Sequence, residues 1–169
     1  MTFSRSTALD DRRARTRLAA AAAISVAVAV DQAIKRLLLT GVIGLNGKTL
    51  IPGLVDVEFA WNRGVSFSLL WSNSALGRLL LSAGAACIVI VLLVWALRTR
   101  RVLMAVAIGM VIGGALGNLV DRFLYGAVFD FLVMRIGSVR LFVCNLADVA
   151  ITLGVVGVLI DALRHQQPA

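Results

Sequence analysis

Four stretches of the chain are almost wholly apolar and long enough to cross the hydrocarbon core of a bilayer, which takes about 20 helical residues. They are Leu18–Leu39, Leu76–Leu97, Val102–Leu119 and Leu146–Leu163. The pattern predicts an all-α membrane protein built as a four-transmembrane-helix bundle. Between the first two stretches the period changes. In Val55-Asp56-Val57-Glu58-Phe59-Ala60-Trp61-Asn62 the large apolar residues take odd positions and the acids even ones, the alternation of a half-buried strand. Pro52-Gly53 can start that strand and Asn62-Arg63-Gly64 can turn it. The connection is expected to carry a small β-sheet lying on the bilayer. Phe59 and Trp61 would sit in the interfacial aromatic belt, with Lys48 and Arg63 near lipid phosphates.

Composition agrees with a bilayer. The chain is 60% apolar with a mean hydropathy of +0.93, against roughly 45–50% apolar usage in soluble domains. A net charge of +8 raises the question of nucleic acid. The basic residues, however, flank the apolar stretches and form no stripe with interleaved aromatics, so no nucleic-acid partner is expected and topology with anionic lipid accounts for the charge. Arg5, Arg12, Arg13, Arg15 and Arg17 precede the first span, Arg98, Arg100 and Arg101 separate the second and third, and Arg164 follows the fourth. Short basic segments stay in the cytoplasm. Both termini are therefore expected inside, with residues 1–17 a basic cytoplasmic N-terminus and the loops at about 40–75 and 120–145 extracytoplasmic. Lys48, Arg63, Arg122, Arg135 and Arg140 fall in those loops, so the bias is one of density. The first span outruns a signal-peptide core and lacks a clear small-x-small site after it, which reads as an uncleaved signal anchor. Residues 1–169 form one membrane domain.

Within that frame two acids stand out. A carboxylate near hydrocarbon is costly and marks a candidate site, and Asp130, in Val128-Phe129-Asp130-Phe131, and Asp148, in Asn145-Leu146-Ala147-Asp148, both lie where spans meet the outer face. Two carboxylates together can share a proton and activate water, so the pair points to an intramembrane aspartyl protease. Asn145 and Asp148 share one face of the first turn of span four, where helix amides favour a carboxylate. Asn118, Asp121 and Arg122 form a polar set at the end of span three that could orient Asp130, with Asp121 and Arg122 read as an ion pair. Asn62 can be a turn residue, and Asp56, Glu58 and Asp161 read as ordinary exposed charges. Gly109, Gly113 and Gly117, with Gly114 beside them, have the spacing that lets helix backbones approach.

Other chemistries find less support. The single histidine, His165, lies at the far end of span four, on the order of 30 Å of helix from Cys144. No histidine-based triad or zinc site can form at the outer face. Cys87 and Cys144 match no metal or disulfide framework and are expected as buried packing residues. No phosphate-cradling glycine loop is present, and no metal or cofactor is expected. A serine/lysine dyad could use Lys35 with Ser66 or Ser68, but Asp31 stands four residues before Lys35 on the same helix face and would pair with it. A small proton-coupled transporter using Asp31, Lys35 and Asp148 is the alternative; it predicts midplane acids and inverted repeats, and no repeat is visible.

Five blocks in order resemble those of the signal peptidase II family, the lipoprotein signal peptidases that act as bacterial membrane aspartyl proteases. They are Asp31-x-x-x-Lys35, Asn62-Arg63-Gly64-Val65-Ser66-Phe67, Gly113 to Arg122, Val128 to Phe131, and Asn145 to Asp148. The resemblance implies Asp130 and Asp148 as the catalytic pair, with Asn118, Arg122 and Asn145 supporting it and Asn62 contacting substrate. Asp31, Lys35, Asp121, Gly114 and Gly117 would be structural. It further implies a prolipoprotein substrate carrying a diacylglyceryl group on its lipobox cysteine and cut just before that residue, and inhibition by globomycin-type cyclic peptides. The site would lie at the extracytoplasmic face of the bacterial inner membrane. This chain departs from the family pattern at Cys144, where an aromatic is frequent, at Ser66, where alanine is frequent, and in lacking a proline shortly before Asn145.

Overall fold

The computed structural model describes residues 3–64 and 75–165. Its elements run α1 (Phe3–Leu39), β1 (Lys48–Ile51), β2 (Val55–Asn62), α2 (Ala75–Arg98), α3 (Val102–Tyr125), β3 (Val128–Ile136), β4 (Val139–Cys144) and α4 (Leu146–Arg164). Among the described residues, four helices are long and apolar enough to cross a membrane. Two differ from expectation in extent. The basic N-terminal segment continues α1 as helix, and α3 runs six residues past Leu119, carrying Asp121 and Arg122 on a helix rather than in a loop. Gly126 then closes α3 in the left-handed region, φ 70°, its N–H returning to the Arg122 carbonyl. That conformation favours glycine and turns the chain directly into β3.

Helix α3 is the axis of the bundle: 56% of its apolar window is buried, against 6–17% for the other three. Small residues bring its neighbours close. A Cβ on Gly113 would lie 2.6 Å from the Ala27 Cβ and 2.9 Å from the Ile24 carbonyl oxygen of α1, while one on Gly114 would collide with the Ala147 carbonyl oxygen of α4. Backbones without a side chain between them gain dispersion contacts that lipid cannot supply. Met104, Ala105, Ile108 and Ile112 of α3 fill the remaining space against Ala20 and Ala96. Helix α2 rests on α3 along one side, and Cys87, expected to be buried, faces outward on its exposed side, whereas Cys144 is buried. An apolar residue on an outer helix face needs no protein cover where the solvent is hydrocarbon.

The sheet is larger than the alternation in residues 55–62 predicts. It has four antiparallel strands in the order β1-β2-β3-β4, drawn from both long connections. Strand β3 pairs with β2 through Val57 and Leu132, Ala60 and Asp130, and Asn62 and Val128, and with β4 from Leu132 onward. Val57, Phe129 and Phe131 pack under it against Leu38 at the end of α1, and the Phe129 ring meets Phe59 at 5.1 Å and Trp61 at 5.2 Å between centroids. Asp56 and Glu58 are not free charges. Arg135 of β3 reaches Asp56 at 2.6 Å, diagonally across the β2–β3 pair, and Arg140 of β4 reaches Glu58 at 2.7 Å across the intervening strand β3. Asp161 is likewise buried and paired with Arg101 at 2.7 Å.

The close approach of α3 and α4 at Gly114 leads to a test. Gly114→Ala should lower stability by about 1–3 kcal/mol through overpacking, seen as a lower thermal midpoint of the purified protein in detergent. An unchanged midpoint would show that α4 can shift without cost.

Candidate active site

Asp130 and Asp148 come from different kinds of element and meet at one end of the bundle. Asp130 points from the first half of β3 and is buried, at 2% exposure. Asp148 is the third residue of α4 and is half-buried. Its position follows from the capping box that opens this helix: the Asn145 side chain accepts from the Asp148 N–H while the Asp148 carboxylate accepts from the Asn145 N–H, each at 3.1 Å. This reciprocal arrangement satisfies amides that a helix start otherwise leaves unpaired.

Asn145 joins the two acids. Its Nδ2 donates to Asp130 Oδ1 at 2.7 Å and to Asn118 Oδ1 at 3.0 Å, and Asn118 Nδ2 donates in turn to Asp148 Oδ1 at 2.8 Å. Asn62, at the end of β2, donates to Asp130 Oδ2 at 3.0 Å. It also turns the chain, its Oδ1 accepting from the Gly64 N–H. The two acids and the three asparagines expected around them, drawn from β2, α3, β3 and the start of α4, thus form one connected network.

The remaining expected residues divide. Arg122 is half-buried and feels the charges of Asp148, Asp121 and Asp130, but it makes no ion pair with Asp121 among the described residues. Adjacent helical residues point about 100° apart, and the Asp121 carboxylate is turned inward to Lys35 at 2.7 Å. Lys35 also pairs with Asp31 at 2.8 Å, as the four-residue spacing predicts. Ser66 and Ser68, the serine half of the alternative dyad, lie outside the described residues. Gln32 was not foreseen: it donates to Asp121 Oδ1 at 2.9 Å and to the Gly117 carbonyl at 3.1 Å. An amide side chain inside an apolar span, next to Asp31, is the signal that marks it.

The surroundings of Asp130 act on its carboxyl. Burial pushes Asp130 up to about 6; the Asn62 and Asn145 donors and the Lys35 charge pull the other way, and the Asp148 charge adds to the rise. Burial, with the charges of Asp148 and Asp130, pushes the Cys144 thiol up to about 11, so Cys144 is no nucleophile at neutral pH. A cavity of about 210 Å³ opens beside Asp148, lined mainly by apolar groups of Met134, Phe142, Cys144, Thr152 and Leu153.

Fold and site together define a polytopic membrane protein that brings two carboxyls, joined through Asn145, to one end of its bundle. The chain belongs to the signal peptidase II family: residues 23–164 match the family described as Signal peptidase (SPase) II, which makes it a peptidase. It is 43% identical over 143 residues to the lipoprotein signal peptidase of Methylorubrum extorquens (strain PA1), covering 84% of each chain. With that of Nitrobacter hamburgensis it shares 38% identity over 153 residues, 88% of this chain and 93% of the relative. Among solved structures it resembles a bacterial membrane enzyme determined by the in meso method at 1.9 Å resolution, with a TM-score of 0.73 and 26% identity over 87% of this chain and 94% of the other. Nothing in these likenesses supports proton-coupled transport.

Because an N–H donor stabilises the ionised form of a carboxyl, Asn62→Ala should move the Asp130 titration above its wild-type position near 6. Carboxyl ¹³C NMR of aspartate-labelled protein reads this directly; a midpoint that stays or falls would show that Asn62 does not act on Asp130.

Proposed function

We propose that this protein is an aspartic endopeptidase that removes the signal peptide from diacylglyceryl-modified prolipoproteins, cutting before the lipidated cysteine, with Asp130 and Asp148 as its catalytic residues. The observation that carries this reading is Asn145, whose side chain and backbone hydrogen-bond both acids at once. That places two carboxyls of different burial around one point where a water and a peptide carbonyl can meet.

The roles in this reading follow the difference in burial between the two acids. Asp148, the more exposed acid at a helix N-terminus, is the carboxylate that takes a proton from water as the water oxygen attacks the scissile carbonyl carbon. Asp130, the buried acid, is protonated and gives its proton to the carbonyl oxygen as the C=O bond opens. In the tetrahedral diol that results, Asp130 recovers a proton from one hydroxyl as the carbonyl re-forms. Asp148 gives its proton to the departing nitrogen as the C–N bond breaks. The products are the signal peptide with a free carboxyl end and a lipoprotein with a free cysteine amine, and both acids return to their starting states. Asn118, Asn145 and Asn62 hold the acids, and Arg122 supplies positive charge beside them. The apolar cavity next to Asp148 suits the lipid-bearing side of such a substrate, and globomycin-type cyclic peptides would compete for the same site.

Arginine density on the opposite side of the spans supports a cytoplasmic location for both termini and an extracytoplasmic one for the site. The whole chain acts as a single membrane domain.

The test is cleavage of a lipidated prolipoprotein by purified protein, with an unlipidated substrate as control. Asp130→Asn and Asp148→Asn should each reduce turnover by at least about 10³-fold while the variants remain folded; turnover retained in both would remove the pair from the mechanism. With Asp130 acting in its protonated form, kcat/KM should fall as pH rises through about 6. A rate that climbs across that range would reverse the assignment of acid and base.

A further inference from the structure

Behind the acids lies a second cluster, apart from the network of asparagines. Asp31 and Asp121 are 1% exposed at their side chains and Lys35 3%. Lys35 Nζ contacts Asp31 Oδ2 at 2.8 Å and Asp121 Oδ2 at 2.7 Å. The contacts that leave this cluster are specific. Asp31 Oδ1 accepts from the Ala147 N–H at 2.9 Å, and Asp121 Oδ2 accepts from the Phe129 N–H at 3.1 Å. Ala147 immediately precedes Asp148, and Phe129 immediately precedes Asp130.

Both amides lack the partner that regular structure would provide. Ala147 is the second residue of α4, whose N–H has no intrahelical acceptor, and the Asn145 side chain is already taken by the Asp148 N–H. Phe129 lies on β3 before Leu132, where pairing with β4 begins. Along that stretch, paired with β2 on one side but open on the side of β4, Asp121 receives the Phe129 N–H and Asn145 reaches the Phe129 carbonyl at 3.4 Å, so two side chains stand where a strand is missing. Gln32 braces the cluster by donating to both carboxylates, Asp31 at 3.1 Å and Asp121 at 2.9 Å.

We infer that Asp31 and Asp121, tied to each other through Lys35, are positioning residues that set the separation of the two reacting carboxyls by each holding the backbone amide directly before one of them. Charge-assisted bonds to backbone amides are short and directional, and a misplacement of about 1 Å in a catalytic group costs on the order of 10²-fold in rate. The inference rests on Asp130 and Asp148 being the catalytic pair.

Four variants test it: Asp31→Asn and Asp121→Asn, which keep an oxygen acceptor for the amide but lose the charge, and Asp31→Leu and Asp121→Leu, which lose the acceptor. With folded protein and a lipidated substrate, the asparagine variants should lose roughly threefold to tenfold in kcat and the leucine variants about a hundredfold. KM should stay within about threefold of wild type, since the substrate contacts remain while transition-state geometry is lost. The pH limb near 6 should move in all four, because the interaction between the acids changes with their spacing. A purely structural role would instead lower the amount of folded enzyme and leave its kcat and pH limb as in wild type. If the leucine variants do not accumulate, the asparagine variants decide: wild-type kcat with an unmoved limb overturns the inference. Asparagine variants as inactive as accumulating leucine variants also overturn it, since the retained acceptor would then have no effect. Asp130→Asn and Asp148→Asn run alongside. Their retained activity would overturn the functional reading itself, whereas their inactivity beside unaltered Asp31 and Asp121 variants would overturn only the positioning role.

Discussion

The architecture turns on one buried ammonium. Lys35 stands between Asp31 of its own helix and Asp121 of α3, and through the free oxygens and shared contacts of those acids it is connected to the start of α4 and to the first residues of β3. Charges withdrawn from water are costly unless paired, and removing one partner of such a set typically costs about 3–5 kcal/mol. The cluster also dictates packing. A Cβ on Gly117 would lie 2.7 Å from Asp31 Oδ2, so the carboxylate can occupy its place only because α3 offers bare backbone there. Glycine spacing and ion pairing, which look like separate features of the chain, are two requirements of the same contact.

That frame explains why so few residues make the site. The asparagines around the acids each serve more than one group: Asn145 caps α4 and bonds Asp130, Asn118 links Asn145 to Asp148, and Asn62 turns the chain while bonding Asp130. An amide side chain offers donors and an acceptor together, so it can pass a hydrogen bond between two carboxyls without adding charge to a region that already holds several. Cys144, beside Asn145, adds no competing chemistry because it stays a thiol.

Much of this was legible in the residues, and the parts that were not share a physical reason. Spans two and four fall within about a residue of their helices at both ends, and span one at its C-terminal end, because hydrocarbon selects long apolar runs. Asp130 and Asp148 stood out because acids at the edge of such runs are costly. Strand β3 was missed. Val128–Ile136 is buried on both faces along its first half, so it lacks the alternation that revealed β2. Asp121 and Arg122 misled for a different reason: neighbours in sequence were taken as partners, although a helix sends them in different directions. Asp161, read as exposed, is paired with Arg101 from the start of the preceding helix, a contact that depends on how α3 and α4 cross. Cys87 was expected inside, yet in a bundle this small one side of α2 faces outward throughout.

Two identical carboxyls can divide acid and base work only if their surroundings differ, and here the difference begins with secondary structure. A strand covered on both faces along its first half keeps Asp130 buried, and withdrawal from water raises its proton affinity. A helix start leaves Asp148 half-buried, facing amides whose partial positive charge suits an anion. Asn145 then spans the junction of strand and helix, touching both acids from the single residue where β4 has ended and α4 begins. Chemical asymmetry and close spacing therefore come from the same junction. A pair of aspartates on two helices of the bundle would meet more nearly equal surroundings, and two on adjacent strands would share the same burial.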